Sequence, residues 1–92
     1  MSGYSNLKLK SDIIYQVNED GMMIYVPEEG MIHAVNITAA DIILFIEGGN
    51  NSLELLVDKF LEKYVGISKE VLCDDVRSIL NSLVELEIIQ GA

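Results

Sequence analysis

Met31-Ile32-His33-Ala34-Val35-Asn36-Ile37-Thr38-Ala39-Ala40-Asp41-Ile42-Ile43-Leu44-Phe45-Ile46-Glu47-Gly48-Gly49 is the stretch on which the fold turns, because the side-chain period changes inside it. Met31 to Asn36 follows a turn signal and reads as a strand. From Thr38 the spacing is helical. Thr38 offers its hydroxyl as a cap, and Asp41 falls in the first turn near the positive helix end. Ile42, Phe45 and Ile46 share one face, and Gly48-Gly49 closes the helix.

Outward to the N-terminus the pattern is that of strands and turns. Ile13-Ile14-Tyr15-Gln16-Val17-Asn18 is rich in β-branched and aromatic residues, and Glu19-Asp20-Gly21 is a turn with glycine free to take positive φ. Met22-Met23-Ile24-Tyr25-Val26 is the returning arm, and Pro27-Glu28-Glu29-Gly30 turns the chain again into Met31 to Asn36. The expectation is a three-stranded antiparallel meander over 13–36; the alternation with Lys8 and Lys10 around Leu7 to Leu9 is too short to decide whether that stretch leads into its first strand.

Outward to the C-terminus the pattern is helical. Ser52 is an N-cap with Glu54 in the first turn, and Leu53, Leu56, Val57, Phe60, Leu61 and Tyr64 recur at three- and four-residue spacing until Gly66. Ser68 opens a last helix whose stripe is Leu72, Val76, Ile79, Leu80, Leu83 and Leu86. Helices are therefore expected over 38–47, 53–65 and 69–86, in a single α+β domain spanning residues 1–92. Ninety-two residues leave no room for a second core.

Charge and composition narrow the function classes. Fifteen acidic against six basic side chains give a net charge of −9, which repels phosphate backbones and provides no basic footprint for nucleic acid. The longest apolar runs are broken by Asp41 and Glu47 well short of the roughly 20 residues that span a bilayer. Met1-Ser2-Gly3-Tyr4-Ser5-Asn6 has no basic region followed by an apolar stretch, so no secretion signal is read there. A lone cysteine, Cys73, fits a reducing compartment, and a cytoplasmic location with no membrane association is expected.

Catalytic and metal chemistry find little support. His33 is the only histidine, set in a strand among apolar neighbours, and reads as a packing or binding residue. Cys73 is placed in the first turn of the last helix, where Asp74 and Asp75 oppose any activation by the helix dipole. One histidine and one cysteine do not make a zinc site. Glu28-Glu29 and Asp74-Asp75 lack the alternating oxygen pattern of a calcium loop, and Gly48-Gly49 follows a helix instead of leading a strand into one. No catalytic residue, metal or cofactor is expected. An open three-stranded sheet does present a free edge, on which an extended peptide can add as a further strand.

Residues 34–48, Ala34-Val35-Asn36-Ile37-Thr38-Ala39-Ala40-Asp41-Ile42-Ile43-Leu44-Phe45-Ile46-Glu47-Gly48, resemble the PqqD family, in which a strand ends in a hydrophobic-Asn pair followed by x-Thr-Ala and a short aliphatic helix closed by glycine. The likeness continues through Ser52-Leu53, Tyr64-Val65, Asp75-Val76, Leu83 and the terminal pair Ile88-Ile89, and so covers roughly Leu7 to Ile89. The chain is identified as a member on the agreement of order, spacing and length. Glu87 stands where relatives often carry glycine, and Met31-Ile32-His33 lacks the bulky aromatics frequent in the third strand of lasso-peptide members.

The resemblance implies a winged helix-turn-helix-like peptide-recognition module, the RiPP recognition element of natural-product biosynthesis, as in PQQ or lasso peptides. Such a module is a chaperone and not an enzyme. It binds the leader of a ribosomally made precursor peptide and presents it to a modifying enzyme such as a radical SAM maturase or a leader peptidase. The leader docks as an extra strand on the third strand, here Met31, Ile32, His33, Ala34 and Val35, with side chains in the groove toward the last helix. The helical wall carried over is Val71, Asp75, Ser78, Ile79 and Ser82, with Asp75 the sharpest single candidate; on its own it reads equally as a solvated first-turn acid. A monomer and a homodimer both stay open. A winged-helix DNA-binding regulator would share the architecture, but residues 69–86 carry Lys69 and Arg77 against Glu70, Asp74, Asp75 and Glu85. A structural subunit of an enzyme complex, touching no substrate, is the third reading.

Overall fold

Strict alternation makes the central strand of the sheet. In the computed structural model, which describes residues 4–91 of the chain, strands β2 (Ile14–Asn18), β3 (Gly21–Val26) and β4 (Met31–Asn36) form an antiparallel sheet in the order β2-β3-β4. Met22, Ile24 and Val26 of β3 are fully buried against the helices, while Met23 and Tyr25 face outward. The expected meander is present with its expected turns. Of the opening residues read for a secretion signal, 1–3 lie outside those described, as does residue 92 of the expected domain.

The helices follow as α1 (Ile37–Glu47), α2 (Leu53–Lys63) and α3 (Lys69–Glu85). Helix α1 is apolar nearly all round, with Ala39, Ala40, Ile42, Ile43 and Ile46 buried, which suits a helix enclosed by other elements and not one lying on a surface. It packs against β3, β4, β1 and α2. Helix α2 buries Leu53, Leu56, Val57 and Phe60, and α3 buries Leu72, Val76, Leu80 and Leu83, each on one face. Leu86, expected on the core stripe, is more than a third exposed, because α3 ends at Glu85 and Leu86 is its C-cap. Among the described residues no helix is long and apolar enough to cross a membrane.

The ends of the chain hold a feature the sequence reading did not anticipate. Instead of leading into the meander, Lys8–Leu9 forms its own strand, β1, paired with β5 (Ile89–Gln90) through the register Lys8↔Gln90 and Leu9↔Ile89. The amide of Lys10 donates to Ile88 O at 2.9 Å, and that of Leu7 to Asn51 O at 2.8 Å, so the N-terminal segment straps across the helical layer. Leu7, Ile88 and Ile89 are buried beneath this strap.

Two helix caps and two side-chain placements differ from expectation. Asn36, not Thr38, caps α1: its Oδ1 accepts the Ala39 amide at 2.9 Å, so the helix begins at Ile37. Asp41 therefore falls outside the first turn and pairs instead with Lys63 Nζ at 2.7 Å. Ser52 caps α2 through the Leu55 amide as expected, whereas Ser68 precedes α3 without a side-chain cap bond. Cys73 and Asp75, the fifth and seventh residues of α3, lie beyond its first turn, away from the amides that carry the dipole's positive end. Helix α2 stops at Lys63 because Tyr64 is already extended and Gly66 takes a φ of 82° to reverse the chain.

Two backbone positions carry measurable strain or freedom. A Cβ on Gly21 would stand 1.9 Å from the carbonyl oxygen of Val35, and the residue has a φ of 149°. Gly21→Ala is expected to destabilise the protein by about 2 kcal/mol or more, read from the urea midpoint. Glu87, at a φ of 60°, occupies the left-handed position of a Schellman motif, with Ile88 N–H on Leu83 O and Glu87 N–H on Val84 O, both at 3.0 Å. Glu87→Gly is expected to raise stability by about 1 kcal/mol, measured in the same unfolding experiment.

Candidate functional site

Proline decides which backbone groups of β4 are free. Val26 pairs with Met31, and Pro27, having no N–H, cannot form the ladder bond that a widely spaced pair at that position would need. Val26 and Met31 are thus a hydrogen-bonded pair, and by alternation so are Ile24 with His33 and Met22 with Val35. The N–H and C=O groups of Ile32 and Ala34 therefore point away from β3 to the open edge. The fourth place in this sheet is unfilled among the described residues.

Beside that edge β4 and α3 stand apart and leave a groove of about 240 Å³. Ala34, Val35, Asn36 and Ala39 line one side, and Ile79, Ser82, Leu83 and Leu86 the other. The lining side chains are apolar apart from Asn36 and Ser82, and Ser82 Oγ donates back to Ser78 O at 3.4 Å. This mixture suits an extended peptide, whose backbone bonds to the edge while alternate side chains enter the groove.

Of the ten residues expected at the site, the structure brings Ala34, Val35, Ile79 and Ser82 together around the groove. Met31 and His33 share the helix-facing side of β4 with Val35, since their partners Val26 and Ile24 are buried. His33 Nε2 is shielded from solvent without a hydrogen-bond partner among the described residues, and Glu29 Oε1 lies 3.8 Å away. Ile32 turns the other way, onto an outer sheet face shared with Ile14, Met23 and Tyr25. Val71 and Ser78 are exposed on α3 outside the groove. Asp75 lines a separate hollow of about 270 Å³ with Thr38, Phe60, Tyr64, Ile67, Leu72 and Val76.

Asn36, Ala39, Leu83 and Leu86 complete the groove and were not among the expected site residues. Leu83 and Leu86 belong to the apolar stripe of α3 and read from sequence as core; only the end of the helix at Glu85 turns Leu86 outward. Several charged and phenolic groups elsewhere on the surface are engaged in pairs. Hydrogen bonding to Asp41 raises the pKa of Lys63, and hydrogen bonding to Glu28, at 2.9 Å, raises that of Lys10. The Tyr15 hydroxyl donates to Glu47, which raises the phenol's pKa and ties β2 to α1. Cys73 is half-buried, with Arg77 Nη2 3.8 Å from its sulfur. Among the described residues no three or more His, Cys, Asp or Glu are grouped so that they could hold a metal ion.

An open strand edge beside an apolar groove is a geometry on which an extended peptide can pair. Among known families, the profile described as Coenzyme PQQ synthesis protein D (PqqD) matches residues 21–89. The chain belongs to the PqqD family. Two solved structures share its fold. One, described as TbiB1 in complex with the TbiA(beta) leader peptide, superposes with a TM-score of 0.81 at 19% identity, over 92% of this chain and 96% of that one. The other, a lasso peptide synthetase B1 complexed with its leader peptide, gives 0.78 at 21% identity, over 95% and 100%. No curated protein matches the sequence.

Because Asn36 both ends β4 and caps α1, its side chain holds the corner of the groove. Asn36→Ala is expected to cost about 1 kcal/mol of stability. It should also speed hydrogen exchange at the Ala39 amide, while Asn36→Asp restores protection.

Proposed function

We propose that this protein binds the leader segment of a ribosomally made precursor peptide as a fourth strand on β4 and presents the peptide to a separate modifying enzyme, such as a radical SAM maturase or a leader peptidase. It acts as a peptide chaperone and not as a catalyst. The observation that carries this reading is the outward-facing backbone of Ile32 and Ala34 beside the groove that Val35, Ile79 and Ser82 line. Membership of the PqqD family supports it, as do two structural neighbours, each described in complex with a leader peptide. Backbone bonds along the edge supply affinity that does not depend on sequence, and the groove selects among side chains. The DNA-binding alternative finds no support in charge: of the two cations on α3, Arg77 is already 3.7 Å from Asp74, and the protein carries −9 overall.

Ala34→Pro removes one outward N–H and fixes φ at the open edge. With circular dichroism first confirming the fold, isothermal titration of the cognate leader in the presence of a chelator is expected to show affinity lost by tenfold or more. Glu62→Ala, on the exposed face of α2, should bind like the parent protein. Equal binding by the parent and Ala34→Pro would reject strand addition on β4.

A further inference from the structure

We propose that the outward face of the three-stranded sheet is a separate docking surface, on which the modifying enzyme sets an apolar patch rimmed by basic side chains. The partner is taken from the peptide-chaperone reading above, and the surface on which it docks is what is added. By register two rows cross the sheet on this face, one of Ile14, Tyr25 and Ile32 and one of Gln16, Met23 and Ala34. Neither row holds a charged residue, in a chain of which 23% is charged. A sheet with helices on one face ordinarily turns polar residues to water on the other. Here Ile14 and Ile32 are each 62% exposed, and with Met23 and Tyr25 they surround a hollow of about 310 Å³. Missing charge with Tyr and Met at the centre is the composition of an interface core.

Size and charge together select the occupant. Three strands of five or six residues, about 4.8 Å apart and rising about 3.4 Å per residue, present roughly 15 by 20 Å, or about 300 Å² in plan. A permanent homodimer buries roughly 1,000 Å² or more from each copy, so this face fits a contact that forms and releases. Asp12 stands just before β2 at one end of the face, and Glu19 and Asp20 turn β2 into β3 at the other. None of these three carboxylates is in an ion pair among the described residues. A second copy laid on this face sets acidic ends against acidic ends in molecules of −9 each, and an anionic lipid surface is repelled in the same way. A protein with an apolar centre and Lys or Arg at its margin matches both features.

The face is rigid and stays free when peptide is bound. Met22, Ile24 and Val26 of the central strand are fully buried on the helix side, which fixes Met23 and Tyr25 outward, and the Tyr15 hydroxyl ties β2 to Glu47 of α1. The groove lies between β4 and α3, and a peptide strand pairs along the β4 edge, so neither covers Ile14, Met23 or Tyr25. Peptide and enzyme can therefore be held at once on different sides of one sheet, which is the arrangement that presentation requires.

The test is titration of the purified enzyme that modifies the cognate precursor against the immobilised full chain, with and without saturating leader, beside titration of the leader alone. The parent protein is expected to bind both at once. Ile14→Glu and Met23→Glu, each placing a carboxylate on the apolar face, should weaken the enzyme tenfold or more and leave leader affinity within twofold, which also shows the variants folded. Glu19→Lys combined with Asp20→Lys should weaken the enzyme and flatten the salt dependence of its binding. Enzyme binding that is unchanged in Ile14→Glu and Met23→Glu, or abolished by saturating leader, would overturn the docking face and leave strand addition standing. A dimer of the parent, seen by sedimentation and dissolved by Ile14→Glu, would assign the face to a second copy and overturn the proposal. No leader binding by the parent, with enzyme binding still sensitive to Ile14→Glu and Met23→Glu, would overturn strand addition and uphold the docking face.

Discussion

The contact between Gly21 and the carbonyl of Val35 is the constraint around which the rest of the molecule is arranged. Only a residue without a side chain lets β3 begin so close to the end of β4. With that closure made, Gly21 faces Asn36 across the ladder, and Asn36 turns its side chain to the Ala39 amide and starts α1. Helix α1 then leaves the sheet in a direction that buries Ile42, Ile43 and Ile46, and each fully buried aliphatic side chain contributes about 2 kcal/mol. A shift of one residue in the β3–β4 register would exchange the inward set Met22, Ile24 and Val26 for Met23 and Tyr25.

Function grows from the same joint. Asn36 and Ala39, which secure the passage from strand to helix, are also lining residues of the groove. The site is thus built on a rigid corner, with α3 as the opposite wall, held by the burial of Leu72, Val76, Leu80 and Leu83. Under the proposed strand addition, a peptide disordered when free would lose conformational entropy on pairing with β4, and a preformed edge and groove would keep that cost to the peptide alone.

The unprotected edge of β4 is unusual enough to carry meaning. Edge strands are commonly guarded by lysine, proline or bulges, yet Met31-Ile32-His33-Ala34-Val35-Asn36 contains none of these guards, and its neighbour α3 leaves a groove instead of a cover. The other edge, β2, is partly secured through the bond from Tyr15 to Glu47. The excess of acidic side chains spread over the surface offers a general defence against self-association while still attracting basic partners.

By itself the sequence determined the elements whose signals are local. The glycine and proline turns marked the meander, the apolar stripes marked α2 and α3, Ser52 marked a helix start, and the order of short motifs marked the family. Tertiary structure alone decided whatever depends on residues distant along the chain. Strands β1 and β5 are two residues each and gain stability only by meeting across the ends of the chain. Asn36 and Thr38 are both competent caps, and only the closure of β4 on Gly21 selects Asn36. Leu86 and Asp75 lie on α3 at spacings that suit a core stripe and a groove wall, but where the helix ends and which neighbours face it set their places. Local propensity acts over a few residues, whereas a site is the meeting of surfaces that chain topology brings together.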